Sequence, residues 1–115
     1  MPTVNIYVRA DSEKKTAPIP DSLIEELRAT IAQALSCGAR NLQPGEISVR
    51  CLDVHGGGMI APIEVEITAY AYEERVPRSD SVCLSIRKFL MDKLAGPEDV
   101  RVWTNLTELG HSWED

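Results

Sequence analysis

The feature of this sequence that most constrains its fold is a strand–helix–strand pattern that occurs twice. In the first copy, apolar and polar residues alternate over 3–9. Apolar residues then recur at helical spacing from about 21 to 35 and alternate again over about 46–54. The second copy repeats this succession over about 62–72, 79–94 and 100–104. Such an internal repeat indicates two equivalent structural units.

Each unit is predicted to be a βαβ crossover, because two parallel strands need a long connection, usually a helix. Both helices would then cover one face of a four-stranded mixed sheet, an α/β (α+β) arrangement. We expect the 115 residues to form a single domain with pseudo-repeats at about 2–54 and 62–105.

The helix ends carry recognisable start and stop signals. Ser22 with Glu25 fits a capping box at the start of the first helix, and Ser79-Asp80-Ser81 can cap the second. Gly38 and Gly96-Pro97 are typical of helix ends. In the second strand we expect Ile47, Val49 and Cys51 on one face.

The sheet face away from the helices is predicted to be polar and charged. By alternation it would carry Asn5, Tyr7, Ser48, Arg50, Glu64, Glu66, Thr68, Arg101 and Trp103. One explanation is cross-strand ion pairing of Arg50 or Arg101 with Glu64 or Glu66. The other is that sheet faces pack around a shared axis in an oligomer, and the two explanations are compatible.

Pro2 opens the first strand, a position that suits proline because it has no backbone donor to offer the ladder. Removal of Met1 would leave Pro2 with a free secondary amine. An α-amino group titrates at about 7.7–8.0, and burial favours its neutral form, which can act as a general base. The alternative is that Pro2 only begins a strand. If Met1 is retained, the Pro2 nitrogen is an amide and cannot be a base.

The net charge and the cysteine content narrow the kinds of function that the protein can have. The net charge of −6 argues against general affinity for nucleic acid or anionic membranes. We find no apolar run of about 18 residues and no secretory signal, so we expect neither a membrane span nor secretion. Three cysteines without metal-ligand spacing predict reduced thiols of a cytoplasmic protein.

Several motifs, together with Pro2 and the doubled pattern, resemble the tautomerase superfamily, especially its macrophage migration inhibitory factor-like members. The run over 20–27, followed by Ala32-Gln33-Ala34, is similar to the first helix of that branch, and Gly57-Gly58 before Pro62 is similar to its loop. The last strand departs from this branch, since Arg101 and Trp103 stand where a tyrosine and an asparagine are expected. The departure makes phenylpyruvate-type substrates doubtful and a more acidic ligand possible.

Other motifs resemble different branches of the superfamily. Ser48-Val49-Arg50 and Arg78-Ser79-Asp80 are similar to segments of 4-oxalocrotonate tautomerase, and Val100-Arg101 repeats the first of these. The run over 75–79 resembles the paired arginines of the cis-3-chloroacrylic acid dehalogenases.

The resemblance implies a cofactor-independent tautomerase or isomerase without a metal, acting as a homotrimer on a small 2-oxo or enol carboxylate. Pro2 would be the base, and Arg75 with Arg78 would clamp the carboxylate. Arg101 and Trp103 would come from a neighbouring subunit, with Arg50 as a second-choice ligand.

Alternatives to this interpretation stay open. For Arg75 and Arg78, the alternative is a solvated loop beside Glu73 and Glu74. For the whole protein, it is a non-catalytic binding or structural protein with this fold, or, as a minor option, a related decarboxylase or dehalogenase.

Overall fold

The computed structural model describes residues 2–9, 19–38, 41–94 and 99–108. Its four strands are β1 (Thr3–Arg9), β2 (Ser48–Val54), β3 (Ile63–Tyr70) and β4 (Val100–Thr107). Its two helices are α1 (Asp21–Leu35) and α2 (Ser79–Lys93), and 3₁₀ turns occupy Pro44–Glu46 and Val76–Arg78. Within these ranges, neither helix has the length and apolar character needed to span a membrane.

The strands form one sheet in the order β2-β1-β3-β4. The pairs β1 with β2 and β3 with β4 are parallel, whereas the two central strands β1 and β3 are antiparallel. Each repeat therefore contributes a parallel pair joined through its helix. This confirms the predicted four-stranded mixed sheet built from two βαβ units.

The core lies between the helices and one face of the sheet. The central strands bury alternate residues, Val4, Ile6 and Val8 in β1 and Ile63, Val65, Ile67 and Ala69 in β3. The helices meet them with Leu23, Leu27, Ile31 and Leu35 of α1 and Val82, Ile86 and Leu90 of α2. Each fully buried aliphatic side chain contributes about 1.5–3 kcal/mol. Within the described residues no helix covers the opposite face of the sheet, which we call the helix-free face.

The start of α1 differs from the prediction. Pro20 is the N-cap residue, no side chain caps the helix, and the Pro20 carbonyl accepts hydrogen bonds from the N–H groups of Leu23 (3.0 Å) and Ile24 (3.1 Å). The predicted capping box is wrong because Ser22 already lies inside the helix. Its partner Glu25 instead pairs with Arg28 at 3.0 Å.

The start of α2 has no side-chain cap either. The Ser79 hydroxyl donates to the Val76 carbonyl at 2.8 Å, and the Ser81 hydroxyl donates to the Arg78 carbonyl at 3.0 Å. The 3₁₀ turn leads directly into the helix, so its carbonyls satisfy the first N–H groups. The predicted cap is therefore replaced by a turn.

The helix ends also differ. The helix α1 ends at Leu35 with Ser36 as C-cap, before the predicted stop at Gly38. The other predicted stop, Gly96-Pro97, lies outside the described residues.

Three strand boundaries differ by a few residues. The strand β2 begins at Ser48 because a 3₁₀ turn, closed by the Gln43 N–H on Glu46 Oε2 at 2.9 Å, precedes it. The strand β3 ends at Tyr70, and β4 extends to Thr107 because its pairing with β3 continues to that point. Val49 and Cys51 share a face as predicted, being in register with Val4 and Ile6, whereas Ile47 precedes the strand. Cys51 is exposed because β2 is an edge strand.

Candidate functional site

Pro2 is buried at the start of β1, one of the two central strands. Its carbonyl oxygen accepts a hydrogen bond from the Ser48 N–H at 3.1 Å, which fixes it against the start of β2. Because Thr3 is paired with Thr68 in the antiparallel ladder, Pro2 also lies beside the end of β3. The predicted base therefore sits at the end of the sheet where β2 begins and β3 ends.

Arg75 lies at this same end and is a buried side chain, only 2% exposed. Its Nε donates to the Leu35 carbonyl at 2.8 Å, and its Nη1 donates to the Tyr70 carbonyl at 3.0 Å. The guanidinium also stacks over the Tyr72 ring, 4.7 Å from the ring centroid. Arg75 thus ties the end of α1 to the end of β3.

These contacts bear on the two sequence-based interpretations of Arg75. The solvated-loop interpretation is wrong for this residue because its side chain is buried. The carboxylate clamp stays a prediction, and the two backbone carbonyls that Arg75 binds do not favour it.

Arg78 is exposed and binds the same helix end. Its Nη2 donates to the Ser36 carbonyl at 2.7 Å, and its Nε donates to the Glu74 carbonyl at 3.1 Å. Glu74 completes the contact by accepting the Gly38 N–H at Oε2, at 2.6 Å. We call residues 73–78 the cap loop, since three of its side chains bind the chain at and just beyond the end of α1.

The cap loop explains how α1 ends without a basic residue in its last turn. The carbonyls at a helix C-terminus carry partial negative charge and attract cations. Arg75 and Arg78 supply that charge from a distant part of the sequence. Sequence analysis missed this role because nothing in the local pattern links the two segments.

The helix-free face is arranged in rows set by the strand register. One row crosses β2, β1, β3 and β4 as Leu52, Tyr7, Glu64 and Arg101, and the next as Arg50, Asn5, Glu66 and Trp103. This confirms the predicted set of residues on the face. Trp103 is 36% exposed, so a large aromatic ring lies open at the β4 edge.

Hydrogen bonds rather than ion pairs organise the middle of this face. The Asn5 Nδ2 group and the Tyr7 hydroxyl both donate to Glu66 Oε1 at 3.1 Å. Burial, together with the neighbouring Glu66 carboxylate, raises the pKa of the Tyr7 phenol. Glu64 Oε2 accepts the N–H groups of Ile60 (2.9 Å) and Ala61 (3.2 Å).

The predicted cross-strand ion pairs are therefore wrong. Arg101 binds Asp99 instead, with Nε 2.6 Å from Oδ2. Among the residues that the structure describes, Arg50 forms no ion pair. Both glutamates already accept hydrogen bonds from uncharged donors, which removes the need for arginine partners.

Arg101 does not lie near Pro2 in the same protomer. It is in register with Glu64 and hence with Tyr7, five positions along β1 and two strands across. At roughly 3.3 Å per residue and 4.8 Å per strand, the two backbone positions are roughly 20 Å apart. Trp103 and Arg50 lie closer to Pro2 than Arg101 does, since both share a row with Asn5. Pro2, Arg75 and Arg78 therefore lie toward the same end of one protomer, whereas Arg101 lies far from Pro2.

Tyr70 is a further residue at the Pro2 end of the helix-free face. It is half-buried, and its ring centroid lies 4.9 Å from that of Tyr72. The alternation that places Thr68 on this face also places Tyr70 there, so the sequence contained the signal. The set of face residues predicted above omits Tyr70.

Solved structures provide the comparison. A fused 4-OT wild-type symmetric trimer is 13% identical and aligns with 92% of this chain and 85% of its own, with a TM-score of 0.64. The macrophage migration inhibitory factor-like protein of Entamoeba histolytica is 12% identical over 94% of this chain and 88% of its own, with a TM-score of 0.57. N1, a member of the cis-3-chloroacrylic acid dehalogenase family, is 13% identical over 92% of this chain and 75% of its own, with a TM-score of 0.50.

No family model and no curated protein matches the sequence. At identities of 12–13%, the structural likeness is one of fold.

Proposed function

We propose, since the chain has the fold of the tautomerase superfamily, that it is a cofactor-independent tautomerase or isomerase acting on a small enol or 2-oxo carboxylate. The observation that carries the proposal is the position of Pro2, buried at the start of a central strand of this fold. Fold alone does not define a reaction, so the residues of the site must support the proposed chemistry.

The reaction needs one group that can accept and return a proton. In the direction from enol to ketone, the neutral Pro2 amine takes the hydroxyl proton as the C=O bond forms. The resulting ammonium returns a proton to the carbon atom. Burial disfavours the charged ammonium and so keeps the amine available as a base. This chemistry requires that Met1 is removed.

A carboxylate on the substrate needs cationic ligands, and we assign them first to Arg101 of a neighbouring copy, with Trp103 beside it. The separation of roughly 20 Å within a protomer means that only a second copy can bring Arg101 to Pro2. We therefore propose sites shared between copies, in a homotrimer like the fused 4-OT trimer that the fold resembles. Arg50 is a second candidate, because it is exposed on the helix-free face and forms no ion pair within the described residues.

Arg78 remains a lesser candidate ligand. Its Nε and Nη2 groups bind carbonyls, which leaves Nη1 for a substrate oxygen.

We propose a cytoplasmic location, consistent with three free thiols, Cys37, Cys51 and Cys83.

The second candidate function is non-catalytic, a binding or structural protein with the tautomerase fold. The poor match between the cap-loop arginines and a carboxylate clamp is the observation that favours it. It predicts no turnover with any enol carboxylate. A dehalogenase is a minor alternative, suggested by the likeness to N1. A related decarboxylase is another, which only the sequence resemblance suggests.

Mixed oligomers test the shared site directly. At a substrate concentration near the wild-type KM, Pro2→Ala and Arg101→Ala alone should each convert little substrate, the first because its base is altered and the second because its KM is raised. Random mixing of the two during co-expression should give about one intact site in four, and hence measurable enol–keto conversion. Sedimentation should report a trimer. A monomer, or mixed samples no more active than either variant, would contradict the shared site.

A further inference from the structure

Asp99 lies between two arginines at the start of β4. Its Oδ2 accepts the Nε of Arg101 at 2.6 Å, and its Oδ1 accepts the Nη2 of Arg87 at 2.9 Å. The Val100 N–H also donates to Oδ1 at 2.9 Å. The carboxylate is therefore fixed from the helix side by Arg87 and from its own strand by Val100.

Arg87 is itself held in place. It belongs to α2, and its Nε donates to the Val100 carbonyl at 2.9 Å. The Val100 carbonyl fixes Arg87 and the Val100 N–H fixes Asp99, so Asp99 has little freedom to turn away from Arg101.

The consequence for Arg101 is that one part of its guanidinium is occupied and another is open. Nε binds Asp99, whereas within the described residues the two Nη groups make no hydrogen bond. The Arg101 side chain is 58% exposed. Two parallel N–H donors on a planar group match the two oxygens of a carboxylate.

The charges of the cluster remain favourable to an anion. Arg87 and Arg101 contribute two positive charges against the single negative charge of Asp99, and the carboxylate of Glu64, in register with Arg101, accepts the N–H groups of Ile60 and Ala61 instead. The hydrogen bonds from Arg101 and Arg87 lower the pKa of Asp99, so the carboxylate stays ionised at neutral pH. Asp99 therefore orients Arg101 without cancelling the positive charge of the cluster.

We propose that Asp99 is a positioning residue that holds Arg101 by its Nε so that the free Nη edge receives the substrate carboxylate. This inference rests on the proposed function, in which Arg101 serves the site of a neighbouring copy. It assigns to Asp99 a role in substrate binding rather than in proton transfer.

The test is a KM measurement on Asp99→Asn with the enol carboxylate that the wild type converts best. We expect KM to rise about tenfold with kcat changed less than about twofold, because only the orientation of a binding group is lost. Glu25→Gln is the matched control, since it breaks another surface carboxylate–arginine pair, with Arg28, far from the cluster. It should leave both constants unchanged.

A double-mutant comparison separates positioning from stability. In an Arg101→Ala background, Asp99→Asn should have no further effect on KM, because the group it positions is absent. An equal effect of Asp99→Asn in both backgrounds, or an unchanged KM in the single variant, would overturn the proposal.

A second readout keeps the proposal testable without turnover. The Arg101 Nε–H signal in ¹⁵N NMR should be protected from solvent exchange in the wild type and lost in Asp99→Asn. If no enol carboxylate is converted, the proposed function fails. Calorimetric titration with 2-oxoglutarate then tests the inference: binding that is about tenfold weaker in Asp99→Asn than in the wild type supports positioning, and equal binding, or no binding to either, overturns it.

Discussion

The Nε group of Arg75 donates a 2.8 Å hydrogen bond to the carbonyl oxygen of Leu35, 40 positions earlier in the chain. The contact joins the first repeat to the second at the end of the sheet that holds Pro2. Because the guanidinium is buried, its hydrogen bonds are worth more than those of a surface arginine. The end of α1 and the end of β3 are therefore fixed together by one side chain.

Replacing Arg75 by Met should destabilise the protein strongly. The substitution removes hydrogen bonds from a charged donor to the carbonyls of Leu35 and Tyr70 and leaves these acceptors buried. We expect a loss of about 3 kcal/mol in the free energy of unfolding, and a fall in Tm of roughly 10 °C or more. Denaturant titration and thermal unfolding both measure this.

Arg78→Met is the control for this prediction. Arg78 also binds a carbonyl near the end of α1, that of Ser36, but is exposed, so the cost should stay below about 1 kcal/mol. If Arg75→Met is as stable as the wild type and instead raises the KM for an enol carboxylate, the clamp interpretation is right and the capping role is wrong.

Gly38→Ala should weaken the cap loop through Glu74. A Cβ atom at position 38 would lie 2.9 Å from Glu74 Oε2, so the carboxylate must move and loses its bond to the Gly38 N–H. We expect about 1 kcal/mol of destabilisation, because the displaced group is the end of a flexible side chain. In a Glu74→Ala background the same substitution should cost much less. Equal costs in the two backgrounds would show that Glu74 is not involved.

Glu66→Gln should lower the pKa of Tyr7. Burial and the Glu66 carboxylate both raise this pKa, and the substitution removes the negative charge while keeping an acceptor oxygen. The phenolate absorbance, assigned with a Tyr7→Phe variant, should appear at lower pH in Glu66→Gln. An unchanged titration would mean that burial alone sets the pKa.

The raised pKa of Tyr7 also makes the stability of the protein depend on pH. Because the folded-state pKa lies above the unfolded value of about 10, folding retains the phenol proton more strongly. This contribution is present below the unfolded pKa and is lost as the pH rises through the folded pKa. Wild-type stability should therefore decline over that alkaline range, and the decline should be smaller in Glu66→Gln.

The sequence predicted the fold because its periodic patterns are local and strong. Val4, Ile6 and Val8 alternate in β1, and Leu23, Leu27 and Ile31 recur in α1, so the buried face of each element is readable without tertiary information. The helix starts were predicted less well, since Pro20 and the 3₁₀ turn at Val76–Arg78 supply backbone carbonyls where side-chain caps were expected.

The site was harder to predict because its contacts are long-range. In the sequence, Arg75 looks like an ordinary cation in a polar loop. Only its hydrogen bond to the Leu35 carbonyl shows that it caps a helix. The Asp99–Arg101 contact, in contrast, spans two positions and could have been predicted from the sequence. The prediction from the sequence gives Arg101 only cross-strand partners.

The most direct test of the central claim is the rate of enol–keto conversion by chains whose N-terminus is verified by intact mass. Three samples are needed: the wild type without Met1, the wild type that retains Met1, and Pro2→Ala without Met1. The proposal predicts conversion by the first sample and none by the second, because the nitrogen of residue 2 is then an amide. In the third, kcat/KM should be lower by about 100-fold, because a primary amine without the proline ring is no longer held in the reactive position. Equal rates in all three samples would show that the Pro2 amine is not the base.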